Sequence, residues 1–354
     1  MPTGRVMVAM DKYRGTALAA ELCDVIARTA RHLGHEVQIQ PLSDGGEGFV
    51  DAFAGTDVLV NACGPLGEAT RARVRMSPSA LGPVGVIEVA DVVGRDRLTH
   101  PRRDQALAAN SRGVGMLVEA SQELGATSIV VGCGGSATSD GGRGCYDYLR
   151  ERGGLRVAVS VATDVTARFS GASRYAEQKG VHRDDVGLIE RRLASIRDVY
   201  LREQGVDVEL IDRTGAAGGI AGALVALGAT PVGGFDAVAG AVGLDERLKG
   251  CALVVSGEGR LDLGSLEGKA VVSLAQRIDA ECRLVVICGS VDLDAQNLFL
   301  SEFPRAELIS LSDRFGLNRA LAQTLACVEE VAHEVLGEVP SLRRPHRRGH
   351  QPHE

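Results

Sequence analysis

The segment 128–142 reads SIVVGCGGSATSDGG and decides the fold class of the chain. Ser128–Gly132 is rich in apolar and β-branched residues, which predicts a buried strand. Two glycine pairs then enclose a run of hydroxyl-bearing residues, and a helical pattern continues to Glu151. A buried strand, a glycine-rich loop and a helix in this order predict one unit of an open α/β sheet.

Strand-like and helix-length segments alternate on both sides of this unit. The predicted strands are Arg5–Met10, Glu36–Leu42, Val58–Ala62, Arg71–Met76, Gly85–Ala90, Val157–Ala162, Val206–Leu210, Leu253–Ser256, Leu284–Cys288 and Glu307–Leu311. The three strands between 58 and 90 have no helix between them, which predicts an antiparallel meander.

This order predicts two α/β domains. The first and last segments, 1–60 and 250–338, are expected to share one doubly wound parallel sheet. The mixed α/β segment 61–249 is expected to be inserted between them, and 339–354 is expected to be a disordered basic tail.

Composition excludes several classes of protein. The 354 residues include 45 glycines but only 7 Phe, 5 Tyr and no Trp, and the net charge is −7. The apolar fraction of 45% argues against general disorder, and the few aromatic rings argue against a base-stacking nucleic-acid surface. No apolar run of membrane-spanning length and no signal-peptide layout occur, and eight scattered cysteines without a CxxC pair indicate a reducing compartment. We therefore expect a cytoplasmic protein with no membrane partner, and a homodimer is compatible with the sequence.

Two glycine clusters are predicted to hold anions through backbone N–H groups. The residues concerned are Gly134, Gly135, Ser136, Thr138, Gly141 and Gly142 in one cluster and Gly215, Gly218 and Gly219 in the other. Phosphate binding is one interpretation. A tight structural connection and close helix packing are others. A third is a nicotinamide site, because the first cluster contains G-x-G-x-x-A and Asp164 ends the next predicted strand.

Two further clusters carry acidic and basic side chains at strand ends. Asp44 opens a glycine segment, where it either touches substrate or metal or caps the next helix. The segment after Leu253–Ser256 contains Glu258, Arg260, Asp262 and Lys269. Carboxylates that bind Mg²⁺, with cations that neutralise phosphate oxygens, are recurring parts of phosphoryl transfer.

Other catalytic patterns are missing from the sequence. Gly268-Lys269 lacks the upstream glycine of a Walker A loop and is followed by Ala270. No G-x-S-x-G elbow occurs, and no His lies within the glycine clusters. The residues alone therefore favour a small-molecule phosphotransferase without a P-loop.

The order of these clusters resembles the bacterial glycerate kinase family. The resemblance extends from about residue 5 to about 336 and rests on the following segments: 11–16, the Asp44 segment, 134–142, 163–165, 178–180, 215–219, 257–262 and 268–269. Several side chains depart from the family pattern. Lys12 and Arg14 replace its Ser and Lys, and Ser139 replaces its Asn.

The resemblance implies two α/β domains, one of them Rossmann- or flavodoxin-like, with the active site in the cleft between them. It also implies Mg-ATP as cofactor and transfer of a phosphoryl group to a hydroxyl of D-glycerate or a related small hydroxy acid. On this basis the candidate residues fall into four groups. The catalytic candidates are Asp44, Asp164, Arg260, Asp262 and Lys269; the substrate-binding candidates are Asp11, Lys12, Arg14 and Lys179; the glycine clusters bind ATP; and Glu258 with Asp262 bind the metal.

Two other functions remain open at this point. The departures at motif side chains are also compatible with a degenerate relative that senses a nucleotide or hydroxy acid. The G-x-G-x-x-A match leaves a nicotinamide-dependent oxidoreductase as the second alternative.

Overall fold

The structure is a computed structural model that describes residues 5–43, 45–46, 48–266 and 270–338. The strands are β1 (Arg5–Met10), β2 (Glu36–Ile39), β3 (Thr56–Cys63), β4 (Ala69–Ser77), β5 (Val84–Glu88), β6 (Ser128–Gly132), β7 (Ala158–Ala162), β8 (Thr230–Val232), β9 (Leu253–Gly257), β10 (Arg260–Leu261), β11 (Arg283–Cys288), β12 (Ser290–Val291) and β13 (Ala306–Ser310). The helices are α1 (Ala19–His32), α2 (Ala90–Val93), α3 (Arg103–Ala108), α4 (Arg112–Glu123), α5 (Arg143–Glu151), α6 (Val186–Gln204), α7 (Ile220–Ala226), α8 (Gly234–Val242), α9 (Leu244–Leu248), α10 (Ala270–Ala275), α11 (Leu293–Glu302), α12 (Leu311–Phe315), α13 (Leu317–Ala322) and α14 (Thr324–Gly337).

The contacts of the chain divide it into two compact units. Unit 1 comprises the residues up to Pro41 and from Asp245 onward, and unit 2 comprises Leu42–Leu244. The sequence predicted these boundaries at 60/61 and 249/250. The observed boundaries differ from the predicted ones because the segment after β2 packs within unit 2. There the amide of Gly48 donates to the Glu88 carboxylate over 3.3 Å.

Unit 1 is built on a five-stranded parallel sheet in the order β13-β11-β9-β1-β2. Strands β1 and β9 pair in parallel, so both ends of the chain contribute to one sheet. The central strands β1, β9 and β11 are mainly apolar and buried, as is typical of parallel sheets whose two faces are covered, and β1 is fully buried from Val6 to Met10. The core also includes α1 and α14.

Unit 2 contains a six-stranded mixed sheet in the order β3-β4-β5-β6-β7-β8. Strands β3, β4 and β5 form the predicted antiparallel meander, and β5 through β8 are parallel. This arrangement confirms the predicted α/β fold class. It also brings the carboxyl ends of β5, β6 and β7 to one edge, because Glu88 pairs with Gly132 and Gly132 with Ala162.

One predicted strand is wrong. Val206–Leu210 contains a 3₁₀ turn, Val208–Leu210, in place of a strand. Asp207 accounts for the difference, since its side chain accepts a hydrogen bond from the amide of Glu209 and caps the turn.

All eight cysteines are free thiols, and seven of them are buried. Within the part of the chain that the structure describes, no helix combines the length and apolarity needed to span a bilayer.

Candidate functional site

The glycine loop 133–142 begins at the edge where β5, β6 and β7 end. In open α/β sheets, ligands bind outside the carboxyl ends of the strands. The loop leads into α5 through Gly141 and Gly142, whose φ angles are +66° and +74°. Such positive φ angles are readily adopted only by glycine.

The glycine loop 133–142 and the glycine cluster 215–219 contact each other directly. The amide of Gly141 donates to the carbonyl of Gly218 over 3.0 Å. A Cβ on Gly218 would lie 2.0 Å from the carbonyl oxygen of Thr138, and one on Gly142 would lie 2.8 Å from that of Gly219. The two clusters therefore require glycine in order to pack together.

Gly45 and Gly46, from the segment that Asp44 opens, join the same group. A Cβ on Gly134 would lie 2.6 Å from the Cα of Gly46, and one on Gly45 would lie 2.7 Å from the carbonyl oxygen of Ala162. Three of the four clusters therefore meet in unit 2. Asp44, the catalytic candidate of this segment, lies outside the described residues.

The side chain of Lys179 lies against the packed glycine loops. Its Nζ donates to Ser136 Oγ over 2.9 Å and to the carbonyl of Thr138 over 2.8 Å. Burial lowers the pKa of Lys179 to about 7; the positive charge of Arg95 also lowers it, while Asp140 opposes the shift. Lys179 was predicted to bind substrate, and the structure places its side chain against the glycine loop.

A pocket of about 130 Å³ lies over these loops. Residues 133–136 and 216–218 line it together with Arg95, Tyr175 and Lys179. The amide of Arg95 donates to the carbonyl of Gly135 over 2.9 Å, which fixes that residue against the loop. Sequence reasoning missed Arg95, which lies some forty residues upstream and carries no local signal.

Two hydroxyl groups in the loop are buried. Thr138 is 0% exposed and Ser139 2%, and neither side-chain oxygen has a hydrogen-bond partner among the described residues. An unsatisfied buried hydroxyl is costly and calls for an explanation, such as an unseen ligand or water. Ser139 also stands where the family pattern has Asn.

Asp140 organises the loop and is a structural centre. One carboxylate oxygen accepts from the amide of Ser111 (2.9 Å), its hydroxyl (2.7 Å) and the amide of Gly144 (3.1 Å). The other oxygen accepts from the amide of Gly142 over 3.1 Å. The carboxylate thereby satisfies donors at the starts of both α4 and α5, where a negative charge is favourable.

Two other carboxylates lie at the same sheet edge. Asp164 Oδ1 accepts from the amide of Gly234 over 2.9 Å, at the start of α8. Glu88 was not predicted as a site residue. It ends β5 and is 3% exposed, and burial raises its pKa to about 7, with the nearby Asp91 adding to the rise.

The remaining candidates lie in unit 1, after β1 and β9. The amide of Asp11 donates to the carbonyl of Gly257 over 2.9 Å, and a Cβ on Gly259 would lie 3.1 Å from the Cα of Tyr13. The Tyr13 hydroxyl donates to the carbonyl of Ile287, and burial raises its pKa well above the ordinary value. Glu258 is 9% exposed beside this group.

Several charged candidates of unit 1 are engaged by neighbours. Arg260 forms an ion pair with Asp292 at 2.9 Å, and its side chain is 62% exposed. Asp262 Oδ1 accepts from the amide of Ser265 over 3.0 Å and so caps the 3₁₀ turn Leu263–Leu266. Lys12 pairs with Asp11 at 3.9 Å. Arg14 is exposed, and Lys269 lies outside the described residues.

The predicted metal site consists of Glu258 and Asp262. No group of three or more His, Cys, Asp or Glu side chains suited to a metal occurs in the described ranges. Magnesium is often held by one or two carboxylates together with water and substrate phosphates, so two carboxylates of one segment fit its chemistry. Asp262 has one oxygen committed to Ser265, which leaves the other for a ligand.

The fold and the site together fit a class: an α/β kinase with glycine-rich loops at the carboxyl ends of its strands. The model of the glycerate kinase family matches residues 6–153 and 151–339. The chain therefore belongs to the glycerate kinase family.

Relatives from several bacteria agree with this assignment. The glycerate 2-kinase of Escherichia coli is 32% identical over 77% of this chain and 81% of its own. An uncharacterised protein of Mycobacterium tuberculosis is 33% identical over 96% of this chain and 94% of its own. A crystal structure assigned as glycerate kinase 2 from Salmonella typhimurium LT2 superposes with a TM-score of 0.76 at 26% identity, covering 95% of this chain and 98% of that one.

Proposed function

We propose that this glycerate kinase transfers a phosphoryl group from Mg-ATP to a hydroxyl of glycerate or a closely related small hydroxy acid. The observation that carries the proposal is the pocket in unit 2, where two basic side chains, Arg95 and Lys179, lie among packed glycine loops. Both the substrate carboxylate and phosphate groups are anions, and cationic side chains with backbone N–H groups are the usual means of holding them.

The glycine clusters are proposed to hold the phosphates of ATP. Residues 134–142 and 215–219 bring backbone amides close together because no Cβ separates them. Thr138 and Ser139 offer two buried hydroxyls that lack partners among the described residues, and a bound phosphate or water would satisfy them.

The carboxylates are proposed to divide the remaining work. Asp164 and Asp44 are the candidates for accepting the proton of the substrate hydroxyl, a role that needs a carboxylate within hydrogen-bond reach. Glu258 and Asp262 would hold Mg²⁺, which neutralises developing charge on the transferred group. Asp11, Lys12, Arg14, Arg260 and Lys269 are proposed to contribute charge in unit 1.

The position of transfer is proposed to be the 2-hydroxyl. Support comes from the relative named glycerate 2-kinase, which matches most of the chain. A cytoplasmic location agrees with eight free cysteines, since disulfides are rare in a reducing compartment.

The test is ADP release from Mg-ATP with a panel of small hydroxy acids, glycerate first, followed by phosphorus NMR of the product. The proposal expects turnover with glycerate, an absolute requirement for a divalent cation and a 2-phospho product. The proposal would be contradicted if none of the acids in the panel supported ADP release.

A sensor that binds without catalysing transfer is the second candidate. The substituted motif residues Lys12, Arg14 and Ser139 favour it, as do the partners that engage Arg260 and Asp262. A sensor would be thermally stabilised by ATP while releasing no ADP, so the same preparation distinguishes the two functions. NAD serves as the control ligand, because binding of NAD in place of ATP would favour an oxidoreductase.

A further inference from the structure

Lys179 occupies an unusual position for a lysine. It ends the 3₁₀ turn Glu177–Lys179, and its side chain runs inward until only 9% of the residue is exposed. Nζ lies against Ser136 Oγ and the Thr138 carbonyl, and a Cβ on Gly218 would be 2.8 Å from it. The amine is therefore held in a fixed place by the loops that line the pocket.

Among the described residues, no carboxylate is in contact with this amine. Both of its hydrogen-bond partners are neutral, and Lys179 forms no ion pair with any described residue. A buried ammonium without a partner charge is strongly disfavoured relative to the neutral amine.

The titratable and charged groups around Lys179 give the same picture. Asp140 favours the charged form, but its carboxylate already accepts four hydrogen bonds from Ser111, Gly142 and Gly144. Arg95 disfavours a second positive charge, and Tyr175 also lines the pocket. With burial as the main cause, the pKa of Lys179 is lowered to about 7, so the free protein holds it largely uncharged in mildly alkaline solution.

We propose that this pocket binds a tetrahedral oxyanion with two negative charges, and that the anion enters together with one proton, which Lys179 takes up. The proposal rests on the function proposed above, because it assigns the phosphate class of ligand to that pocket. The incoming anion supplies the missing counter-charge, and Arg95 supplies the second cation. The proton balance is simple: the neutral amine becomes an ammonium, and the buffer provides the proton.

Linkage gives the proposal a measurable consequence. If binding protonates Lys179, affinity for the anion falls as the pH rises above about 7, approaching tenfold per pH unit. Below that pH the ammonium is already present, and affinity becomes independent of pH.

The experiment is isothermal titration calorimetry of the full chain with sodium sulfate in buffers of different ionisation enthalpy. Sulfate has the shape and charge of a phosphate dianion but does not itself titrate between pH 6 and 9, so every proton exchanged belongs to the protein. At pH 8 we expect uptake of about 0.9 proton per sulfate, and at pH 6 about 0.1.

Lys179→Arg is the matched control, because the guanidinium remains charged throughout this range. It should bind sulfate with no proton uptake at pH 8. Should this larger side chain disturb folding, the comparison of pH 8 with pH 6 in the wild-type protein carries the test alone.

Sulfate binding without uptake at pH 8, equal uptake at pH 6 and 8, or no sulfate binding at all would each overturn the proposal. These results are independent of the ADP-release assay. An enzyme that phosphorylates glycerate but binds sulfate without a proton would keep the proposed function and lose only this inference.

Discussion

The glycine loops of unit 2 and the glycine segment of unit 1 look alike in sequence but differ in how their polar groups are used. In unit 2 the backbones pack in direct contact. Among the described residues there, a buried lysine has no ion-pair partner and two hydroxyls have no hydrogen-bond partner. In unit 1, Arg260 and Asp262 are engaged by Asp292 and Ser265 at the protein surface or near it.

The two regions differ in how far other described protein groups satisfy their polar side chains. Satisfied groups such as the Arg260–Asp292 pair need no ligand, and an exposed pair contributes little to stability. Unsatisfied buried groups are stabilised by a ligand that completes them. Unit 1 also holds one buried hydroxyl without a partner among the described residues, that of Ser256. Unit 2 combines two such hydroxyls with a buried lysine and therefore shows the stronger structural signs of a binding site, although unit 1 has the denser group of charges in the sequence.

The largest expected effect comes from Gly218→Ala. The added methyl would collide with the Thr138 carbonyl at 2.0 Å, and φ is +71°, so the two loops must separate. We expect a loss of about 3–5 kcal/mol in the free energy of unfolding and a fall of at least about 100-fold in kcat/KM. Urea denaturation and steady-state kinetics measure both.

Gly240→Ala is its control. Gly240 lies inside α8, and a Cβ there would meet nothing within 4 Å. This substitution should stabilise the protein by about 0.5–1 kcal/mol and leave kinetics unchanged. Equal behaviour of the two variants would contradict the packing of the loops.

Asp140→Asn should be next in size. The asparagine side chain keeps the shape of the carboxylate, but its NH₂ group cannot accept hydrogen bonds. That group would face backbone amides whose hydrogen bonds the carboxylate now accepts. We expect about 3 kcal/mol of destabilisation by thermal or urea unfolding. Asp147→Asn, which breaks an exposed pair with Arg143, should cost about 0.5 kcal/mol or less.

The third prediction concerns pH. The pKa of Lys179 is about 7 in the folded protein and returns to its ordinary value of 10.5 on unfolding, so between these limits the unfolded state binds more protons. Stability relative to Lys179→Met should therefore rise with pH, by about 2 kcal/mol from pH 7.5 to 9. Urea unfolding of both proteins at each pH measures the difference, and a flat difference would mean that Lys179 is charged in the folded state.

For Glu88 we expect the opposite dependence of stability on pH. Its pKa is raised from 4.5 to about 7, so the folded state binds more protons across that range. Stability relative to Glu88→Gln should fall as the pH rises from about 4.5 to 7.

The smallest effect tests unit 1. If Asp262 takes part in transfer, Asp262→Ala should lower kcat/KM at least about tenfold, equivalent to roughly 1.4 kcal/mol of transition-state stabilisation. The same loss is expected for Lys269→Ala. Ser265→Ala removes the other half of the turn contact and serves as the control. If both turn variants lose equal stability and keep full activity, Asp262 is only a cap.

Much of the fold could be predicted from local pattern. Apolar runs such as β1 and β11 identify parallel strands, because helices cover both of their faces. The 3₁₀ turn at Val208–Leu210 could not be predicted, since its apolar residues resemble a strand and only the Asp207 side-chain bond decides otherwise.

The site was predictable to the extent that it depends on glycine. A glycine pair signals close backbone approach, and the structure brings three such clusters together in unit 2. Arg95 and Glu88 were missed because they reach the site through the pairing of distant segments. The partners of Arg260 and Asp262 were equally invisible, because a charge in sequence does not reveal what neutralises it.

The pairing of β1 with β9 also has a consequence for biosynthesis. Strand β1 leaves the ribosome first, yet its neighbour β9 follows only after unit 2 has been made, more than 200 residues later. At about 5–20 residues per second, an apolar strand waits on the order of 10–40 s with one edge unpaired. Unit 2 is contiguous and can fold during this interval, so the nascent chain passes through a stage in which the inserted unit is complete while the sheet of unit 1 still has an unpaired edge that is open to aggregation.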